Sequence, residues 1–305
     1  MKKLVLIDGN AILHRAYHAL PPLTNSKGEP TNAVHGFFSM LLSIIESQKP
    51  EYLIVCFDRP KPTFRQTLFV GYQQHRPALA DDFKPQIIMV HKILEKLKIP
   101  IFEQDGYEAD DLIGTLSVEG KEKGLQVIIL SGDRDLLQLV NSHVLMLAPI
   151  TGISNMTLFD ETKVKEKYGL KPSQIVDYKA LVGDASDNYP GVTGIGPKTA
   201  SDLLNKYGDL ENLYKHISDL PLNMQNKLAQ DAEQAAMAKK LATIIKDVPV
   251  KLEEHRATTQ IMDKEGLRKV FQELNFKSLL NRFPKTPEIK KKPIKKEEDP
   301  QLDLL

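Results

Sequence analysis

The 305-residue sequence predicts an α/β fold with a mostly parallel central sheet flanked by helices, then a C-terminal all-α region and a polar tail. Three observations predict it. Residues 4–7, 52–57 and 126–130 are apolar runs, and each is followed closely by aspartate. Between them lie stretches with apolar residues at helical spacing, the crossovers that parallel strands require. Beyond Pro172 the strand-like runs stop while helical spacing continues.

Residues 4–7 read as a strand buried on both faces that delivers Asp8 at its carboxyl end. A helix over 11–20 carries Arg15, and a core helix over 31–47 places Phe37, Phe38, Leu41, Leu42, Ile44 and Ile45 on its buried face. The second strand, 52–57, leads to Asp58. It contains Cys56, the only cysteine, which reads as core packing and excludes an intrachain disulfide. Residues 60–82 lose periodicity and gather Arg65, Tyr72, Gln73, Gln74, His75 and Arg76. They form either an exposed excursion that meets substrate or a solvated insertion without a role. A helix over 82–98 and a short strand over 99–102 follow.

Glu108, Asp110 and Asp111 put three carboxylates into the first turn of the next helix, which runs to Lys123 with Gly124 as C-cap. Capping and the helix dipole account for one or two of them. Two unit charges about 4 Å apart repel by about 4 kcal/mol at an effective dielectric of about 20, so three such acids are expected to be held apart, protonated or bound to a cation. The strand over 126–130 ends at Asp133 and Asp135, and a strand over 143–147 and a helix over 160–168 complete an α/β unit over residues 1–171.

Residues 172–283 are expected to be helical. After a helix with Pro172 at its start, the loop holding Asp184 and Asp187 opens a hairpin over about 183–206. Gly191, Gly194 and Gly196 would let backbone N–H groups and a helix N-terminus meet a phosphate, and Lys198 adds charge; a plain helical hairpin is the alternative. Residues 284–305 are rich in lysine and proline and read as a disordered tether. They carry a peptide of Gln301, Leu302, Leu304 and Leu305.

Lys+Arg 41 against Asp+Glu 40 leaves a net charge of +1, which by itself selects neither nucleic acid nor membrane. After Met1-Lys2-Lys3 only the four apolar residues 4–7 precede Asp8, too short for a signal peptide, and no apolar run approaches about 18 residues, so a cytoplasmic protein without membrane contact is expected.

The strand-end and loop acids are Asp8, Asp58, Glu108, Asp110, Asp111, Asp133, Asp135, Asp184 and Asp187. A parallel sheet gathers the first seven, and the 184–187 loop can close over them. Oxygen donors without a His or Cys set fit Mg²⁺, with Mn²⁺ as substitute, and exclude a zinc centre. Several carboxylates around two such ions match phosphodiester hydrolysis. A glycosidase pair would leave seven of these acids unexplained, and no nucleophile-elbow motif supports a Ser/His/Asp triad.

The order Asp8-Gly9-Asn10 with Arg15, Phe57-Asp58, Tyr107-Glu108-Ala109-Asp110-Asp111, Gly132-Asp133-Arg134-Asp135, then Gly183-Asp184-Ala185-Ser186-Asp187-Asn188 with Gly194-Ile195-Gly196 resembles the 5′-nuclease family. That family comprises the N-terminal 5′-to-3′ exonuclease domain of bacterial DNA polymerase I and the flap endonucleases. The resemblance covers about residues 3–283. It implies a PIN-like core, a helical arch over about 60–82 that admits the 5′ strand, and a helix-hairpin-helix that grips duplex DNA. The implied activity is two-metal cleavage of DNA with a 5′ flap, nick or free 5′ end, in Okazaki fragment processing and repair. Glu108, Asp110, Asp133 and Asp135 match the tighter metal site and Asp184 and Asp187 the second, while Asp8, Asp58 and Asp111 complete the pocket. Arg15, Arg65 and Tyr72 match positions that contact the 5′ strand near the scissile phosphate.

In two respects the sequence departs from the family. Tyr72-Gln73 stands where the arch usually has Tyr-Lys, leaving Arg76 or Lys84 to supply the missing charge. The sequence also stops at Leu305 instead of continuing into polymerase domains, and its last five residues resemble a sliding β-clamp-binding peptide. A free-standing, monomeric nuclease tethered to the clamp is the expectation. A DNA-structure-binding module without cleavage and a PIN-like ribonuclease are the competing readings.

Overall fold

A computed structural model describes residues 1–282. Its centre is a six-stranded sheet of β1 (Lys3–Asp8), β2 (Tyr52–Cys56), β3 (Ile101–Phe102), β4 (Gln126–Leu130), β5 (Val144–Thr151) and β6 (Asn155–Phe159). Their spatial order is β3-β2-β1-β4-β5-β6, with only β6 antiparallel to its neighbour. Helices α1 (Gly9–Ala19), α2 (Asn32–Gln48), α3 (Phe64–Leu68), α4 (Lys84–Lys96) and α5 (Ala109–Glu122) connect the first four strands.

The pleat of β1 shows how the layers are filled. Val5 and Ile7 point into a core shared with α1, α2 and α4 through Ile12, Phe37, Phe38, Leu41 and Leu94. Leu4 and Leu6 point the other way, against Leu112, Ile113 and Leu116 of α5. All seven of these β1 and α5 residues are fully shielded from water, and burying such a side chain is worth about 1.5–3 kcal/mol. Burial on both faces explains why the strand reads as an unbroken apolar run.

In register, Val5 lies between Leu53 of β2 and Ile128 of β4. The chain steps from β1 to β2 and β3 on one side, then returns to place β4 on the other side of β1. That reversal opens a crevice beyond the carboxyl ends of these strands, where ligands of open parallel sheets collect.

The remaining chain forms α6 (Glu161–Tyr168), α7 (Ile175–Val182), the two-residue ribbon of β7 (Gly183–Asp184) and β8 (Tyr189–Pro190), α8 (Pro197–Tyr207), α9 (Leu210–Lys215), α10 (Leu222–Gln230) and α11 (Ala232–Ala242). Leu181, Val192, Ile195, Leu204 and Leu213 give this part its own core. Residues 243–253 then return to the sheet, where Ile244, Val248 and Leu252 pack into the layer of Leu6 and Ile113. Three last helices follow, α12 (Glu254–Ala257), α13 (Lys264–Glu273) and α14 (Lys277–Leu280). Leu267, Val270, Phe271 and Leu279 carry the chain into the α2 layer.

Three expectations are corrected. The strand over 143–147 is the first half of a hairpin whose second arm, β6, was not anticipated. Residues 209–282 do not form a single helical region, because 243–282 belong to the sheet layers. The 60–82 excursion is only partly exposed: Arg65 and Tyr72 are buried at 2% and 4% exposure. The tail and the peptide of Gln301, Leu302, Leu304 and Leu305 lie outside the described residues.

Candidate metal centre

A cavity of about 780 Å³ lies at the crevice, and Asp8, Asp58, Glu108, Asp110, Asp133, Asp135 and Asp187 line it. Asp8 comes from the end of β1 and caps α1: one oxygen accepts from Ala11 N at 2.9 Å, the other from Ser131 Oγ at 2.6 Å. Asp58, two residues past β2, accepts from Ala109 N at 2.7 Å and so caps α5 from outside the helix. Its own amide donates to Asn10 Oδ1 at 2.9 Å. Asp133 follows β4; its amide donates to Ser131 Oγ and its Oδ1 accepts from Asp135 N, both at 2.9 Å. Ser131 and Asn10 were not singled out as site residues, although both stand inside the motifs.

The electrostatics of this cluster are unfavourable for bare acids. Burial pushes Asp8 up to about 7 against the bonds from Ser131 and Ala11, with Asp58 and Asp133 adding to the rise. Burial also raises Glu108 to about 7 despite Arg65, and Asp135 to about 7, aided by Asp133 and opposed by Lys179. Burial holds Asp58 above the ordinary range too. Asp110 is pushed well up by burial and then by Asp133, Asp8, Asp135 and Asp58, so the neighbours that act on it most strongly are carboxylates. Desolvated acids in mutual contact are the environment a hard divalent cation stabilises.

A second group is formed by Asp135, Asp184 and Asp187, which offer ligand oxygens within 4.8 Å of one another. Asp184 Oδ1 accepts from Ser186 N at 2.8 Å, and Asp187 sits at the cavity edge. Lys179 of α7 enters this group and contacts both Asp135 and Asp184. The sequence offered one signal for it, a single base on a short helix whose other charged residue is Asp177.

Glu108 joins the arch to the acids. It accepts from Thr63 Oγ1 and Tyr72 Oη at 3.1 Å and faces Arg65 Nη1 at 3.3 Å. Tyr72 Oη also reaches Asp187 Oδ2 at 3.3 Å. Asp187 Oδ1 accepts from Arg76 Nη2 at 2.7 Å and from Gln73 Nε2 at 3.2 Å. Of the two bases considered beside Gln73, Arg76 reaches the site, whereas Lys84 pairs with Asp81 at 3.0 Å.

Three assigned residues stand elsewhere. Asp111 is fully buried and outside the cavity, bound by Arg65 through both oxygens at 2.7 and 2.8 Å. It also accepts from Glu108 N at 3.1 Å and Ile245 N at 2.9 Å, which leaves it no role as a cation ligand. Arg65 in turn donates to the carbonyls of Leu241 at 2.8 Å and Thr243 at 3.0 Å, so although it lines the cavity its guanidinium is engaged in holding the base of the 60–82 segment. Burial opposes its charge, but Asp111 and Glu108 hold it protonated. Arg15 donates to the Gly152 carbonyl at the β5–β6 turn, at 2.9 Å.

In the hairpin, Gly191 is buried where a Cβ would meet Gly183 N at 2.3 Å and Leu181 O at 2.4 Å, so its role is close packing, not contact with DNA. Gly194 adopts φ +76° in the exposed turn, and Lys227 Nζ donates to its carbonyl at 3.2 Å. Gly196 caps α8, with exposed Lys198 in the first turn. Thr193 N donates to Asp231 Oδ2 at 2.7 Å, so the start of α11 braces the turn.

A family model described as 5′-3′ exonuclease, N-terminal resolvase-like domain, matches residues 3–169. The chain belongs to the 5′-3′ exonuclease family. The companion model, 5′-3′ exonuclease C-terminal SAM fold, matches residues 170–265. A 5′-3′ exonuclease of Aquifex aeolicus is 41% identical over 285 residues, covering 93% of this chain and 96% of the relative. DNA polymerase I of Caldicellulosiruptor bescii is 43% identical over 285 residues, covering 92% of this chain and 33% of the polymerase. The chain therefore spans about a third of the length of the polymerase relatives it matches. In fold it is similar to the T5 D15 protein co-crystallized with metal ions, with a TM-score of 0.66, 21% identity and coverage of 79% and 89% of the two chains. It is also similar to flap endonuclease-1 from Methanococcus jannaschii, with a TM-score of 0.56, 20% identity and coverage of 92% and 90%.

Proposed function

We propose that this family member is a divalent-metal-dependent 5′-to-3′ exonuclease and structure-specific 5′ flap endonuclease acting on DNA in Okazaki fragment processing and repair. The observation that carries the reading is the convergence of seven carboxylates on one cavity with Arg76 at its rim. Asp8, Asp58, Glu108, Asp110, Asp133 and Asp135 would hold one Mg²⁺ or Mn²⁺, and Asp135, Asp184 and Asp187 a second. The chemistry such ions supply when bound is activation of water and stabilisation of charge at a phosphate.

The chain's own residues do the rest. Arg76, half exposed and paired with Asp187, is placed to turn toward a phosphate entering the cavity. Tyr72 donates to Glu108 and Asp187 and ties the arch to both carboxylate groups. Gly194, Gly196 and Lys198 present the hairpin turn and the α8 N-terminus to duplex backbone. The similarity to a flap endonuclease and to a full-length exonuclease supports DNA with a 5′ flap, nick or free 5′ end as substrate. No described helix is long and apolar enough to cross a membrane, which accords with action on DNA in the cytoplasm. We further propose a monomer, docked on the sliding clamp through Gln301, Leu302, Leu304 and Leu305.

Cleavage of a 5′-labelled double flap with Mg²⁺, beside Asp133→Ala, tests the activity. The parent should release product only with the cation, and the variant should release none. No product from the parent with Mg²⁺ or Mn²⁺ refutes the reading. Clamp binding that survives deletion of residues 301–305 refutes the docking.

A further inference from the structure

The second acidic group already contains a cation of the protein's own. Lys179 lies five residues before Asp184, and its ammonium contacts Asp135 Oδ1 and Asp184 Oδ2 together. The third member, Asp187, pairs with Arg76 at 2.7 Å. Of these two bases, Arg76 projects from the arch with its side chain 51% exposed, whereas Lys179 is largely buried at 18% and anchored on a helix. Asp110 stands in contrast, since the neighbours that act on it most strongly are carboxylates.

We propose that Lys179 is a built-in counter-ion of the second cation position: it holds Asp135 and Asp184 together in the cation-free protein, competes with the divalent ion for their oxygens, and thereby sets that position's affinity. The inference rests on the proposed reading that Asp135, Asp184 and Asp187 take a cation. Its physical basis is simple. A carboxylate oxygen engaged by an ammonium must give up that partner to become a ligand, and a buried ammonium must then find another acceptor. One is at hand. The Tyr189 hydroxyl, buried at the end of the 183–190 ribbon, has no hydrogen-bond partner among the described residues and lies close enough to act on the Lys179 charge. Burial opposes that charge, but Asp135, Tyr189 and Asp184 outweigh it and keep Lys179 protonated.

Mn²⁺ titration by calorimetry, with free Mn²⁺ read by electron paramagnetic resonance, tests this on the parent, Lys179→Met, Lys179→Arg and Lys179→Met combined with Asp184→Asn. Removing a unit positive charge in contact with the ligands should tighten the weaker class of site about tenfold or more, and the tighter class, which shares only Asp135 with it, by clearly less. Lys179→Arg should stay near the parent, and Asp184→Asn should abolish the gain. A weaker class that is unchanged or loosened in Lys179→Met overturns the proposal while leaving two-cation binding intact. A parent that binds only one Mn²⁺ overturns the two-cation reading and the proposal with it. If the methionine variant folds poorly, lysine-¹⁵N-labelled parent gives the answer directly: the Lys179 ammonium resonance should move further with the second equivalent of Mg²⁺, which takes both its partners, than with the first, which takes only Asp135. A resonance indifferent to the second equivalent also overturns it.

Discussion

Replacing Arg65 by alanine separates two views of the arch. If Arg65 contacts the 5′ strand, Arg65→Ala should weaken DNA binding and leave stability alone. The structure leads to the opposite expectation. Arg65 is 2% exposed, Asp111 is 0% exposed, and two parallel N–H···O bonds of 2.7 and 2.8 Å join them. Two carbonyls, of Leu241 and Thr243, also lose their donor. Stranding a buried charge by removing its partner costs about 3–5 kcal/mol. The two backbone N–H groups that Asp111 still accepts from soften this, so we expect the low end, about 3 kcal/mol. Urea unfolding followed by circular dichroism reads the change, and Arg65→Ala with Asp111→Asn should lose much less than the sum of the two single variants. A loss for Arg65→Ala below about 1 kcal/mol, with an unchanged urea slope, would show that the pair does not hold the arch base.

Other outcomes follow from the same geometry. Asp8, Glu108 and Asp135 are each raised by burial to about 7, so the folded form binds their protons more tightly than the unfolded chain does. The stability they confer is full below about pH 4 and lost as pH rises through about 7. Cation-free protein should therefore melt lower at pH 8 than at pH 6, and Mg²⁺ should raise the melting temperature more at pH 8. A Mg²⁺ increment that shrinks with pH would contradict this. Gly191→Ala forces a Cβ against backbone at 2.3 Å and should cost about 1–3 kcal/mol of stability, whereas Gly196→Ser, with open space around its Cβ and a favourable capping hydroxyl, should be at least as stable as the parent, both read by urea unfolding. Gln73→Lys replaces the amide that donates to Asp187 with an ammonium, and single-turnover flap cleavage should accelerate. An unchanged rate would mean that Arg76 already supplies the needed charge.

Much of the core could be read from the sequence because strands buried on both faces advertise themselves as apolar runs, and β4 occupies the expected residues 126–130. The edge strand β6 could not. Asn155 and Leu158 are exposed, and Asn-Met-Thr-Leu-Phe has no continuous apolar run and an alternation of only four residues, one of whose apolar members faces solvent. Asp110 and Asp111 show the limit of reading a site by proximity in sequence. Successive residues on a helix point about 100° apart, and here one faces the cavity while its neighbour faces Arg65. Arg65 is hard to place from sequence because the carboxylate that buries it, Asp111, lies 46 residues away, and for Lys179 the nearby Asp184 is only half of the arrangement, since the fold alone brings Asp135 to the same ammonium.

The pairing at the arch base also has a consequence for the order of folding. Arg65 closes on carbonyls 176 and 178 residues later in the chain, and Asp111 on an amide 134 residues later. Contacts of such span form after local structure, because the long intervening loop must be ordered first. During synthesis the sheet and α5 can assemble early, yet the arch has no fixed base until residue 245 has emerged. A nascent chain ending sooner would carry its acids on a formed sheet without the arch set above them.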